Sequence, residues 1–178
     1  MEQFWQALAD DTPQAGQVAI VTFRLCLAAL VGALPGLQRE RVHVAAGLRT
    51  HMLVSVGSAV FIMAALDAGG TISDATRVVQ GVATGIGFVG AGAILKSAQN
   101  HEVHGLTTAA SVWLTAGLGT AVGIGRIWIP IFASLLALVI LALLRRFEGH
   151  RAPTWPQPST VLESTELKNE IRGPNAKN

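Results

Sequence analysis

The 178-residue sequence has no tyrosine, one cysteine and only 13% charged residues. Each shortage excludes something. A single cysteine, Cys26, cannot form an intramolecular disulfide, so no disulfide framework holds the chain. A soluble domain carries about a quarter of its residues as Asp, Glu, Lys and Arg; half that share cannot cover a soluble surface of this size. The first sixteen residues contain no Lys or Arg, and so lack the positive n-region of a cleavable signal peptide. The basic residues form no patch with interleaved aromatics, which argues against nucleic acid as a partner despite the net charge of +2. An apolar content of 51% excludes disorder for the chain as a whole, and the length suits one domain.

What is present is a set of long apolar runs. Five stretches, 17–37, 48–66, 78–95, 106–124 and 127–144, each approach the ~20 residues a helix needs to cross a hydrocarbon core. Within 17–144, outside the segments 39–49, 67–77 and 98–105, the only acidic or basic side chains are Arg24, His51, Lys96 and Arg126. Backbone polar groups in lipid must be satisfied within the segment, which leaves helices or closed barrels. Stretch 127–144 lacks the two-residue alternation of a barrel strand. The expected fold is an all-α membrane protein, a bundle of five transmembrane helices within 17–148. Residues 1–16 form an N-terminal segment outside, and 149–178, with Pro153, Pro156 and Pro158, form a mostly disordered cytosolic tail. With the N-terminus outside, the inner segments hold Arg39, Arg41, Arg49, Lys96, Arg145, Arg146 and Arg151. The outer segments hold only Arg77 and Arg126, so the positive-inside bias puts the C-terminus in the cytoplasm.

The spans differ in kind. Stretch 78–95 contains Gly81, Gly85, Gly87, Gly90 and Gly92; small residues let helices approach closely in lipid, which makes this helix the expected bundle centre. Gly85, Gly87 and Gly90 also match GxGxxG literally, but a dinucleotide site needs a preceding strand and a parallel sheet, whereas these flanks are apolar spans. Gly32 and Gly36, and Gly119 and Gly123, add four-residue small spacings on two other helices. Arg24 shares a stripe with Ala28, Gly32 and Gly36 and is expected to face the bundle. Its expected partner is Asp67, Asp74 or a carbonyl freed in the glycine-rich helix.

Glu40 can pair with Arg49 across the first inner loop, and His51 stands one turn inside the membrane. His43, His101 and His104 have no supporting second cluster, so no metal site is expected. No Asp or Glu lies in any span, although Mg²⁺ sites favour carboxylates; Thr84, Ser111 and Thr115 offer hydroxyls only. No nucleophile–base–orienter set is visible, so neither catalysis nor a cofactor is expected.

Four segments together, RLCLAALVGALPGLQRER (24–41), AGLRTHMLVSVGSAVF (46–61), DATRVVQGVATGIGFVGAGAIL (74–95) and HGLTTAASVWLTAGLG (104–119), resemble the MgtC/SapB family of bacterial inner-membrane proteins. The resemblance implies a five-helix membrane domain. An ACT-like soluble domain often follows it, and the residues after Glu148 are too few to form one here. It also implies a link to growth at low Mg²⁺ and, in one branch, restraint of the F-type ATP synthase. The expected function is regulation of a membrane partner, with self-association possible; the alternative is a transporter or channel for Mg²⁺ or another small solute, lined by Arg24, His51 and the glycine-rich helix. The positions that match the family's motifs are Arg24, Gly32, Gly36, Arg39, Glu40, Gly47, Leu48, Arg49, Thr50, Asp74, Arg77, Gly85, Gly87, Phe88, Gly90, Gly92, Gly105, Leu106, Thr107, Thr108 and Ala109. His51 is the further candidate from the residues themselves.

Overall fold

The computed structural model describes residue 1 and residues 14–41, 44–96 and 103–147. Among the described residues the regular structure is helical apart from one short ladder. The helices are α1 (Ala15–Glu40), α2 (Leu48–Asp67), α3 (Ile72–Gly92), α4 (Leu106–Ile124) and α5 (Trp128–Phe147). Between α3 and α4, β1 (Leu95–Lys96) pairs antiparallel with β2 (Val103–His104). By length and composition α1, α2 and α4 are long and apolar enough to cross a membrane. The tail 149–178 and most of the segment 1–16 lie outside the described residues.

Local chemistry explains the boundaries. Helix α3 begins six residues ahead of its apolar run because Thr71 and Asp74 form a capping box: the Thr71 N–H donates to Asp74 Oδ2 at 2.9 Å, and the Asp74 N–H donates to Thr71 Oγ1 at 3.3 Å. Helix α4 stops where Gly125 takes φ +94°, with the Gly125 N–H bonded to the Val122 carbonyl and the Arg126 N–H to the Ala121 carbonyl. This is a Schellman stop, which needs a residue free of the left-handed penalty. It makes the turn between α4 and α5 tight, and Pro130 falls in the first turn of α5, where its missing N–H costs nothing.

The bundle centre is α4, and the glycine-rich α3 is peripheral. Of the apolar window of α4, 56% is buried, against 22% for α1 and 28% for α2. Only Ala75 and Gly90 of α3 are buried. The expectation of a central α3 fails because small residues permit close approach without saying which helix uses it. Helix α4 carries its own small set, Ser111, Thr115, Ala116, Gly119 and Gly123, all buried. Its Leu118 and Val122 form the core with Ala28 and Val31 of α1 and Ala59 of α2. The outer side chains of α5, among them Ile129, Phe132, Leu136 and Leu143, stay exposed.

Candidate functional site

Close approach of α1 and α2 to each other, and of α2 to α4, creates a buried polar seam. A Cβ at Gly32 would stand 2.8 Å from the His51 carbonyl oxygen and from Ser55 Cβ. One at Gly36 would stand 3.0 Å from His51 Cβ and Leu48 Cα. A Cβ at Gly119 would meet the Ser55 carbonyl, and one at Gly123 would lie 2.8 Å from the Ala59 carbonyl oxygen. These two four-residue glycine pairs on α1 and α4 draw α2 between them. His51 and Ser55 are thereby sealed, both with no exposed surface.

Four polar side chains form the end of the seam beside the α4 N-terminus. The Arg39 Nη2 donates to Thr108 Oγ1 at 2.7 Å. Ser111 Oγ donates to the Thr108 carbonyl at 2.8 Å and lies 3.2 Å from His51 Nε2. His51 Nδ1 donates to the Gly47 carbonyl at 2.8 Å, since a carbonyl can only accept. A neutral imidazole protonated at Nδ1 leaves Nε2 as an acceptor. The single Ser111 hydrogen then has two claimants, Nε2 and the Thr108 carbonyl. Arg39 Nε and Ser55 Oγ are buried with no partner among the described residues. Thr115 Oγ1 donates to the Ser111 carbonyl at 2.8 Å, so this hydroxyl is committed to the backbone.

Glu40 does not reach Arg49. Its Oε2 accepts the Leu48 N–H at 2.9 Å and occupies the place a Cβ on Gly47 would need, so a carboxylate from α1 caps α2. Arg49 is exposed and Thr50 half-buried. At the opposite end of the bundle, Arg24 Nη1 donates to the Gly123 carbonyl at 3.3 Å, with Nη2 beside Gly125. The partner of Arg24 is therefore the C-terminus of α4, and neither Asp67, Asp74 nor α3 holds it. A half-buried guanidinium suits the negative end of a helix dipole.

The remaining candidates sit on α3 and around its join to α4. Asp74 is held in the capping box, and Arg77 is exposed. Nothing lies within 4 Å of where a Cβ would stand on Gly81, Gly85, Gly87 or Gly92. At helical spacing Gly81, Gly85, Phe88 and Gly92 share one line with Asp74 and Arg77. Phe88, 85% exposed, projects from that line away from the bundle. Gly90 alone of these glycines packs inward, its Cβ position 3.5 Å from Ala109 Cβ. Gly105, at φ +93°, lies against the Ala93 carbonyl with no room for a side chain; Leu106 and Thr107 are exposed. The structure thus gathers Gly32, Gly36, Arg39, His51 and Thr108 into one seam, leaves Gly85, Phe88 and Gly92 on an outer face, and sets Gly87 at a groove beside Ala109 and Trp113 of α4.

Sequence reasoning missed Gln38, whose Nε2 donates to the Leu141 carbonyl at 3.0 Å and ties α1 to α5. A lone amide at the edge of an apolar run was its only signal. Among the described residues no three His, Cys, Asp or Glu side chains converge as metal ligands.

A model of the MgtC family matches residues 25–150. The chain is 43% identical over 139 residues to SrpB of Synechococcus elongatus, covering 72% of this chain and 76% of that protein. It is 38% identical over 132 residues to YhiD of Escherichia coli K12, covering 69% of this chain and 60% of YhiD. With MgtC of Salmonella typhimurium the identity is 40% over 122 residues, 68% of this chain and 51% of that protein. No solved structure matches. By the family model and these relatives, the chain belongs to the MgtC family.

Proposed function

We propose that this is a bacterial inner-membrane protein of five spans that regulates a membrane partner in magnesium homeostasis, without catalysis and without carrying the ion. The N-terminus lies outside and the C-terminus in the cytoplasm. The clustering of Arg39, Arg41 and Arg49 around the α1–α2 connection supports that orientation.

The observation that carries the reading is the outer face of α3. A stripe without Cβ atoms, with Phe88 standing out of it, is the kind of surface on which a second transmembrane helix seats by van der Waals fit. Carriage of Mg²⁺ is the second reading, prompted by the words magnesium transporter in the name of YhiD. The seam opposes it: a dication entering there meets the buried Arg39 guanidinium, and like charges repel strongly where water is scarce.

The test places a photo-crosslinking residue at position 88, or at 86 on the α4-facing side, in cells starved of Mg²⁺. Position 88 should yield one discrete membrane-protein adduct, with the F-type ATP synthase the first protein to probe for on the family resemblance. The adduct should vanish in Gly85→Leu while the protein still inserts. Adducts that are the same at 88 and 86, or that survive Gly85→Leu, would contradict the proposal.

A further inference from the structure

We infer that the N-terminus of α4 and Arg39 together form a binding site for a phosphate group, carried either by a lipid headgroup or by free phosphate. Helix α4 opens on Gly105, which has no side chain to cap it, and no acidic residue stands in its first turn. The N–H groups of Leu106, Thr107 and Thr108 have no acceptor within the helix, as at any helix start. Ala109 is the first to bond back, to the Gly105 carbonyl at 2.8 Å. The neighbouring starts differ: a Glu40 carboxylate caps α2, and Asp74 caps α3.

At α4 the side chain that approaches is a cation. Arg39 is only 8% exposed, and its Nη2 reaches Thr108 Oγ1 in the first turn. Its Nε is buried with no partner among the described residues, and no described carboxylate pairs with it. In the last turn of α1 the guanidinium complements that helix's dipole, but set against the positive end of α4 it is repelled by it. A buried charge without a counter-charge is costly unless something negative joins it. A tetrahedral oxyanion resolves both, because its several acceptor oxygens can bridge a guanidinium and free backbone N–H groups at once. Thr108 fixes the guanidinium at the helix end, and the exposed Thr107 leaves the first turn open to the approach. Exposed Arg41 and Arg49 belong to the same end of the bundle and attract anions toward it.

The experiment uses the full chain in a sugar detergent free of phosphate lipid. Thermal unfolding is followed against inorganic phosphate and against phosphatidylglycerol, with chloride matched for ionic strength, and lipid adducts are read by native mass spectrometry. Stabilisation by phosphate alone assigns free phosphate, stabilisation by phosphatidylglycerol alone assigns the headgroup, and stabilisation by both supports the shared site. Arg39→Gln should weaken the apparent affinity by about tenfold or more, the scale of a lost charge-assisted contact, while Arg77→Gln, on the exposed start of α3, leaves it unchanged. If Arg39→Gln does not fold, Arg39→Lys decides, since an ammonium cannot bridge as the planar guanidinium does: weaker binding supports the site, unchanged binding overturns it. Equal stabilisation by chloride would also overturn it.

Discussion

Arg24 and Arg39 stand fifteen residues apart on α1 and reach Gly123 and Thr108, fifteen residues apart on α4. At 1.5 Å per residue that is roughly 22 Å on each helix, so the two run antiparallel in register. One guanidinium therefore sits at each end of the central helix. The ends are not equivalent: Arg24 meets C-terminal carbonyls and complements the dipole, whereas Arg39 meets the N-terminus and opposes it.

Removing Arg24 should loosen the C-terminal end of α4 and leave its N-terminal end intact. Arg24→Leu is expected to cost about 0.5–2 kcal/mol, the scale of a cation at a partly buried helix C-terminus. Hydrogen exchange should quicken around Gly123–Gly125 and stay unchanged at Ser111. Equal acceleration at both ends would show that Arg24 acts on the whole bundle.

The close helix contacts predict a sharp contrast between two glycines two residues apart. A methyl at Gly119 meets the Ser55 carbonyl, whereas Gly117 has open space. Gly119→Ala should destabilise by about 1–3 kcal/mol through overpacking. Gly117→Ala should be neutral or stabilise by up to about 1 kcal/mol through helix propensity. Melting temperatures of the two variants in detergent check this, and a tolerated Gly119→Ala would refute the close α2–α4 packing.

His51 and Ser111 form the one side-chain link between α2 and α4 in the seam among the described residues. Ser111→Ala removes the hydroxyl shared by Nε2 and the Thr108 carbonyl and leaves those buried acceptors without it, with an expected loss of about 1–3 kcal/mol. ¹⁵N chemical shifts of the imidazole should report a proton on Nδ1, held by the Gly47 carbonyl. A neutral ring protonated at Nε2 instead would contradict the geometry.

Acid should fray the start of α3 before the rest of the helix. The Thr71 N–H and hydroxyl both donate to the Asp74 carboxylate and hold its pKa below the ordinary aspartate range. A carboxyl depressed in the folded state contributes stability above its unfolded pKa and loses it as pH falls through the lowered folded value. Amide exchange at Ile72–Ala75 should therefore rise at strongly acidic pH in the wild type. In Asp74→Asn it should already be faster at neutral pH, with no further acid step.

Helix extents were legible from the sequence because lipid-length apolar runs admit little else; the four runs other than 78–95 lie within a few residues of α1, α2, α4 and α5. The early start of α3 was also written there, in Thr71 and Asp74, but apolarity alone does not read a capping box. The arrangement was less legible. Glycine content marks a helix that can be approached, and α3 leaves Gly81 and Gly85 open, while Gly119 and Gly123 of α4 are the ones pressed against α2. Arg39 reads in sequence as one more inner-flank cation, and its burial against Thr108 is a tertiary fact. The same holds for Arg24, whose acceptor lies 99 residues away.

The central claim is regulation by contact, and Mg²⁺ entry into liposomes holding the purified, oriented protein tests it most directly. An enclosed dye reports the ion, beside protein-free liposomes and an Arg39→Lys variant that retains the seam's positive charge. The account predicts traces that coincide with those of protein-free liposomes. Saturable uptake by the wild type would contradict it and make the seam a route for the ion.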